Sequence, residues 1–299
     1  MYLSIDIGGT NIKSGIIREA DITEILDKKE FPTNAKKIYG IGIEKKIVEI
    51  IESYRKKYSI DGVAISTAGV VNPKTYEIEY ANENIPYYIG INLSETVQKT
   101  FNIPCIVEND VNCAAIGEIH YGSGKGYSNL FCLTVGTGIG GSIIIDGNLY
   151  HGSSFTAGEI GYMKIDGADF QDVASTSFLV NRVKELTGFD LNGKEIFEKA
   201  LAGNASIQQI IDEFCENLVK GIVTIYYVLN PEKIIIGGGI MEQTEYLSPI
   251  INNKIQMAME RFNHKRIDIT FANLGNDAGM VGAYHLLKSY LGEEKRINI

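Results

Sequence analysis

One short unit appears twice in this chain, and that repetition limits the folds open to it more than any other feature. The apolar run Tyr2–Ile7 ends in Gly8-Gly9-Thr10 and resumes as the strand-like stretch 11–17. Far downstream, Leu130–Val135 runs into Gly136-Thr137-Gly138-Ile139-Gly140-Gly141, resumes over 142–145 and closes on the hairpin-type turn Asp146-Gly147. Each copy is followed by helical patterns and by another buried strand. The spacing is far too long for a solenoid repeat, so it predicts a duplicated α/β plan. Composition agrees: 32 of 299 residues are glycine and only 6 are proline. Glycine excess without proline argues for tight turns where the backbone must approach something closely.

Between the two copies the periodicity is easy to follow. An extended stretch covers 22–31, and Ile43, Ile47, Ile50, Ile51, Tyr54 and Tyr58 recur at helical spacing. A short buried strand spans 62–66, Asn72-Pro73 is turn chemistry, and 82–92 reads as an irregular loop. Ser94 is placed to cap a short helix; 105–107 is a strand, and a helix runs from Asp110 to about Tyr121. In the second half, Ile207, Ile210, Ile211, Phe214, Leu218, Ile222, Ile225 and Leu229 form the apolar stripe of a long core helix ended by Asn230-Pro231. A buried strand at 233–236 opens into Gly237-Gly238-Gly239, and a last strand (267–271) and last helix (279–291) follow. The expected lobes are 1–118, joined by the C-terminal helix at 279–299, and 119–278.

Charge and cysteine usage exclude several function classes. Lys plus Arg is 28 and Asp plus Glu is 37, a net charge of −9. Binding to a nucleic-acid backbone needs a basic face, and the densest basic stretches here are interleaved with acidic or apolar residues. Cys105, Cys113, Cys132 and Cys215 stand singly in apolar runs with no CxxC spacing, which argues against structural zinc and redox pairs. No apolar window reaches the length of a membrane span, and the N-terminus lacks the pattern of a secretory signal. The expectation is a cytoplasmic protein without a membrane or nucleic-acid partner.

The glycine turns carry the first chemical suggestion. Asp6-Ile7-Gly8-Gly9-Thr10-Asn11 lies at a strand end, where missing side chains let phosphate oxygens reach backbone N–H groups. Thr10 adds a hydroxyl donor, and Asp6 is placed to hold magnesium through water. The alternative is a plain hairpin turn, since glycine motifs have many false positives. Gly136-Thr137-Gly138 repeats the same physics, and Gly238-Gly239 ends a third strand, where a ribose or a flat base could approach. At Glu108-Asn109-Asp110 a strand passes into a helix. Asp110 reads either as the N-cap or as a general base kept charged by the helix N-terminus. Asn109 would fix a sugar hydroxyl beside it. Glu159, between Gly158 and Gly161, is either an exposed loop acid or a second carboxylate for vicinal hydroxyls. The four histidines show no metal spacing and read as surface or satisfied residues.

These motifs together resemble the sugar kinases of the ROK family, within the actin-like ATPase superfamily. The segments 6–13 (DIGGTNIK), 62–69, 108–118 (ENDVNCAAIGE), 133–152, 157–163 and 230–239 match in order along nearly the whole chain. The resemblance implies a two-lobed actin-like (ribonuclease H-like) α/β fold with a duplicated core and a cleft between lobes. It also implies ATP with Mg2+, a small sugar as substrate and a homodimer. Carried over residue by residue, Asp110 becomes the catalytic base, and Gly69, Asn84, Asn109, Asp110, Glu159 and Tyr162 line the sugar pocket. Asp6, Gly8, Gly9, Thr10, Asn11, Lys13, Gly136, Thr137, Gly138, Gly238 and Gly239 face the nucleotide, with Asp6 on the magnesium ion.

Two departures bear on the substrate. Many members carry histidine where Tyr162 stands, followed by a CxCGxxGCxE zinc cluster; the stretch 165–175 here has neither cysteine nor histidine. No zinc site is expected, and Gln171 or Asp172 is expected to replace the glutamate that ends the cluster and touches the sugar. Tyrosine at 162 without the cluster resembles the β-glucoside kinases, as does Val71-Asn72-Pro73-Lys74-Thr75. The expected reaction is phosphorylation of the 6-hydroxyl of glucose or of a glucosyl residue in a β-glucoside. N-acetylmannosamine, fructose or glucose kinases and a non-catalytic sugar or nucleotide sensor are the alternatives. The family's repressors place a DNA-binding domain before the DxGGT block; with that block at Asp6, the expectation is a chain without one.

Overall fold

The computed structural model describes residues 1–19, 21–260 and 267–292, and it divides into two units. Unit 1 holds 1–125, 151–156 and the described residues from 276 onward; unit 2 holds 126–150 and 157–275.

Unit 1 opens with β1 (Tyr2–Ile7), β2 (Asn11–Arg18) and β3 (Asp21–Pro32), an antiparallel meander. It continues through α1 (Ala35–Arg55), β4 (Gly62–Thr67), the small hairpin β5 (Val70–Val71) and β6 (Ile78–Tyr80), α2 (Leu93–Phe101), β7 (Cys105–Asn109) and α3 (Asp110–Tyr121). The sheet order is β3-β2-β1-β4-β7, with β1, β4 and β7 parallel. Parallel strands are covered on both faces, which is why β1 and β4 read as unbroken apolar runs and are buried almost throughout.

Unit 2 begins with β8 (Leu130–Val135), β9 (Ile139–Ile145) and β10 (Asn148–Leu149), followed by the short pair β11 (Lys164–Ile165) and β12 (Ala168–Asp169). Helices α4 (Phe170–Ala174), α5 (Thr176–Thr187), α6 (Gly193–Leu201) and α7 (Ala205–Leu229) come next, then β13 (Lys233–Gly237), α8 (Thr244–Ala258) and β14 (Ile269–Phe271). The chain then returns to unit 1 as α9 (Ala278–Tyr290). The second sheet has the order β10-β9-β8-β13-β14, with β8, β13 and β14 parallel. Both sheets follow one plan, an antiparallel meander continued by two parallel strands, so the duplication seen in the motifs is a duplication of topology.

Each unit has its own core. Leu3, Ile5, Ile47, Ile51 and Tyr54 are fully or almost fully buried in the first, and Phe131, Phe170, Phe214 and Leu218 in the second. The stripe on α7 packs from Ile207 to Ile225 as its period requires, whereas Leu229, in the last turn, is exposed; Gly221 interrupts the stripe for a reason. A Cβ there would lie 2.1 Å from the Phe170 ring, so the glycine is the socket for that ring.

Several boundaries differ from the sequence expectation. Helix α1 starts eight residues before Ile43 and is broken at Tyr39, whose φ is 60°. The kink at Tyr39 and the glycines at 40 and 42 break the helical period there, which hid that first stretch. It ends at Arg55, so Tyr58 packs on the core from outside the helix. The cap of α2 is Asn92, which accepts from the Glu95 N–H; Ser94 lies inside the helix and donates to the Cys105 carbonyl. The cap of α3 is Asn109, not Asp110. That helix runs unbroken past residue 118, so unit 1 reaches Lys125 before the chain passes to unit 2. The last strand is only Ile269–Phe271, and the expected helical end at 293–299 lies outside the described residues. Among the described residues no helix is long and apolar enough to cross a membrane.

Candidate functional site

In unit 1 the parallel register builds the site before any side chain is considered. Asp6 pairs with Ser66 across β1 and β4, and Ser66 with Glu108 across β4 and β7. Three polar residues therefore stand in one row, just before the carboxyl ends of three parallel strands, where ligands collect in α/β sheets. Ser66 Oγ donates to Asp6 Oδ1 at 2.7 Å. Burial pushes the Asp6 carboxyl above its ordinary value, with the Ser66 hydrogen bond and Lys13 opposing that shift.

The Gly8–Thr10 turn is tied at both ends. The Gly8 N–H donates to the Asn11 carbonyl at 2.9 Å, Thr33 Oγ1 donates to the Gly8 carbonyl at 2.7 Å, and the Thr33 N–H donates to the Thr10 carbonyl. Gly9 faces open space apart from Asn84, whose Cβ would lie 3.9 Å from a Cβ on the glycine. The loop residue Asn84, read as part of the sugar pocket, thus stands beside the phosphate-type turn. The Asn11 amide donates to Glu30 at 2.6 Å, so Asn11 serves the turn through its backbone. Lys13 Nζ reaches Asn276 Oδ1 at 3.5 Å.

The junction of β7 and α3 is the most heavily bonded part of the site. Asn109 Oδ1 accepts from the Val111 and Asn112 N–H groups, at 2.9 and 3.1 Å. Its Nδ2 donates to the Gly69 carbonyl (2.9 Å) and to Asp110 Oδ1 (3.0 Å). Asp110 Oδ1 also accepts from the Val111 N–H at 2.9 Å, which holds its carboxylate in the first turn of α3. Gly69 has φ +104°, and a Cβ there would lie 2.8 Å from the Tyr80 carbonyl oxygen. Only glycine can present its carbonyl to Asn109 from that backbone. The Cys113 thiol, one turn into α3, is pushed up by burial and by the charges of Glu108, Asp6 and Asp110.

Unit 2 places its own candidates together. Parallel pairing of β8 with β13 sets Thr134 opposite Gly237, so the Gly136-Thr137-Gly138 and Gly238-Gly239 turns leave neighbouring strand ends. Gly238 has φ +114°, and a Cβ there would lie 2.1 Å from the Val135 carbonyl oxygen. Gly239 faces open space. The first turn is closed by Gly136 N–H to the Gly138 carbonyl, and the Thr176 N–H at the start of α5 donates to the Gly136 carbonyl. Beside them lies a cavity of about 320 Å³ lined by Thr137, Gln171, Asp172, Ser175, Asn181 and Arg182, among others.

Glu159 is set by a glycine contact. A Cβ on Gly158 would lie 2.2 Å from the Gly141 carbonyl oxygen, so β9 and the 157–161 segment touch backbone to backbone. Glu159 is exposed by area, yet its neighbours desolvate it enough to push its carboxyl above the ordinary value. Tyr162 ends the same short helical turn and is about half exposed (49%). Gln171 Oε1 would lie 2.9 Å from a Cβ on Gly138 and 3.2 Å from one on Gly161, so Gln171, rather than Asp172, packs against both loops. Among the described residues no three His, Cys, Asp or Glu side chains gather to hold a metal ion.

Sequence reasoning missed Ser66, Thr33, Thr176 and His151 as parts of these sites. Their partners are set by strand register or by segments far away in sequence, and nothing in the local pattern shows them. His151 is the clearest case. Read as a satisfied histidine, it bonds through Nε2 to Glu108 Oε2 at 2.8 Å. That hydrogen bond, opposed by partial burial, raises its pKa above the ordinary histidine value.

Comparison with known proteins shows what the chain is similar to. The family model described as "ROK family" matches residues 2–290. The chain is 32% identical to a beta-glucoside kinase of Listeria monocytogenes, over 95% of this chain and 97% of that one. It is 31% identical to a glucokinase of Halalkalibacterium halodurans, over 96% and 94%. A ROK family glucokinase from Streptomyces griseus, solved with glucose and AMPPNP, superposes with a TM-score of 0.81 at 26% identity, covering 96% of this chain and 99% of that one.

Proposed function

Because this chain belongs to the ROK family and has the actin-like ATPase fold of its sugar kinases, we propose that it phosphorylates the 6-hydroxyl of glucose, or of a glucosyl residue in a β-glucoside, from ATP. Sugar kinase activity is what the family and the relatives support. The acceptor rests on the Listeria relative and on tyrosine at 162 without a cysteine cluster.

The observation that carries the reading is the junction at 109–110. The Asn109 side chain is held by four hydrogen bonds, and Asp110 sits in the first turn of α3 with one carboxylate oxygen already oriented by Asn109 and Val111. A carboxylate held this way can accept the proton of a sugar hydroxyl as its oxygen attacks the γ-phosphorus. Asn109 and the fixed Gly69 carbonyl offer polar groups to neighbouring hydroxyls. In unit 2, Glu159 and Tyr162 are the proposed sugar contacts. The backbone N–H groups at Gly8–Thr10, Gly136–Gly138 and Gly238–Gly239 bind phosphate and nucleoside, with Asn11 and Lys13 flanking the first turn.

Magnesium fits the residues present. Asp6 offers one carboxylate whose Oδ1 is taken by Ser66, and no cage of three acidic or histidine ligands exists among the described residues. That donor set suits an ion that keeps most of its water and phosphate ligands. When bound, it neutralises charge on the β- and γ-phosphate oxygens.

A coupled ADP-release assay on glucose, cellobiose, gentiobiose, fructose, mannose and N-acetylmannosamine tests the proposal. Turnover is expected with glucose or a β-glucoside. Asp110→Asn should keep nucleotide binding and lose on the order of a hundredfold to ten-thousandfold in kcat. Near-normal turnover in that variant would remove Asp110 as base, and no turnover with any sugar would favour a sensor. A wide preference for N-acetylmannosamine would overturn the glucoside assignment.

A further inference from the structure

Glu108 is a buried carboxylate, 6% exposed, that does not face solvent as a base would. Its two oxygens are fully committed. Oε1 accepts from the Asn109 N–H at 2.8 Å and from Asn112 Nδ2 at 3.0 Å, and Oε2 receives His151 Nε2 at 2.8 Å. The first two bonds clamp the turn that carries Asn109 and Asp110, one from the strand side and one from the helix side. The third comes from a segment 43 residues away in sequence, 151–156, which belongs to unit 1 although the residues before and after it belong to unit 2. A buried carboxylate needs a partner for each oxygen, since an unmatched one costs more than the bond itself returns.

We propose that His151 is a positioning residue for the phosphoryl transfer, acting through Glu108 to hold Asn109 and Asp110 in the geometry that accepts a sugar hydroxyl. This inference rests on the assignment of Asp110 as base. Among the described residues, the bond from His151 is the one side-chain hydrogen bond of Glu108 that comes from outside the β7–α3 junction, so it sets which way the Glu108 carboxylate is turned. Without it, Oε2 is left without a partner in a closed environment. The carboxylate then turns in search of another donor, and its bonds to the Asn109 N–H and Asn112 loosen together. Asn109 and Asp110 would both shift, because they share a backbone turn and the hydrogen bond between Asn109 Nδ2 and Asp110 Oδ1. The hydrogen bond to Glu108 raises the His151 imidazole above its ordinary value, against the opposing effect of partial burial.

The test uses the full-length protein and the best acceptor from the sugar panel. His151→Ala should lower kcat on the order of tenfold to a hundredfold, the loss expected from a small misplacement of reacting groups. It should also raise the KM for sugar while leaving the KM for ATP within about twofold. A smaller folded fraction would lower kcat alone and move neither KM. His151→Gln keeps an amide donor at about the reach of Nε2 and should recover most of the activity. His151→Asn has the same amide one methylene too short and should not. That pair carries the test if the alanine variant fails to fold. Adding Glu108→Gln to His151→Ala should cost little more than either change alone.

Wild-type kinetics in His151→Ala, with Asp110→Asn inactive, would overturn the role of His151 and leave the kinase assignment standing. Equal losses in the glutamine and asparagine variants, matched by equal drops in melting temperature, would reduce His151 to packing and also overturn it. A fully active Asp110→Asn would instead remove the assignment on which the inference depends.

Discussion

Asn109 Nδ2 donates to the carbonyl of Gly69 at 2.9 Å, joining a strand end to a glycine that only a positive φ could place there. The same side chain caps α3 through its other atom. One residue therefore does two separable jobs, and the two can be measured apart.

Asn109→Ala removes the acceptor of two N–H groups and should destabilise the protein by about 1 kcal/mol, as cap deletions do. Asn109→Ser keeps a capping oxygen but has no amide to donate to Gly69. Urea denaturation should show the serine variant close to wild type in stability, while the ADP-release assay shows both variants strongly impaired.

Gly238→Ala forces a Cβ to within 2.1 Å of the Val135 carbonyl oxygen at a φ of +114°. Backbone strain of this kind costs on the order of 1–3 kcal/mol. Because Val135 leads directly into the Gly136 turn, the KM for ATP should rise as well. Gly239→Ala meets open space and should leave stability almost unchanged. Equal melting temperatures for the two variants would contradict the close approach seen at Gly238.

Asp6→Asn keeps the shape of the side chain and its bond to Ser66 but removes the charge. The magnesium concentration needed for half-maximal activity should rise at least about tenfold, with the sugar KM little changed. An unchanged magnesium titration would show that Asp6 does not engage the ion.

Two histidines give stability a pH dependence of opposite sign. Burial and the stacked His120 ring, 3.6 Å away between centroids, depress His285 to about 3. As pH falls below the ordinary histidine value, the unfolded chain takes up a proton that the folded chain refuses until about pH 3. Stability is then lost, at up to about 1.4 kcal/mol per pH unit. His151 is raised, so its contribution is complete below the ordinary histidine value and is lost as pH rises through its elevated one. Melting curves from about pH 4.5 to about pH 8 should flatten on the acid side in His285→Asn and on the alkaline side in His151→Gln.

Much of this architecture was legible because it rests on local rules. The glycine turns at 8–10 and 136–138 end apolar runs, the α7 stripe repeats at helical spacing, and the doubled unit predicts two sheets of one topology. The protein has that pairing order twice. The boundaries that shifted did so where a tertiary contact outweighed the local signal. Asn92 took the cap expected of Ser94 because the serine hydroxyl was drawn to the Cys105 carbonyl. Asn109 took the cap of α3 because its side chain, at the end of β7, reaches the Val111 and Asn112 N–H groups, whereas Asp110 already lies inside the helix.

By itself, then, the amino-acid order determined the duplicated α/β plan, the strand-end glycines and the acidic residues beside them, because each follows from periodicity or from what a side chain prevents. Only the tertiary structure decided which residues meet. Asp6, Ser66 and Glu108 form one row because parallel strands fix their register, and His151 reaches Glu108 because its segment is packed with unit 1 rather than with its sequence neighbours. Contacts of that kind depend on the placement of whole elements, and no local pattern in the chain encodes them.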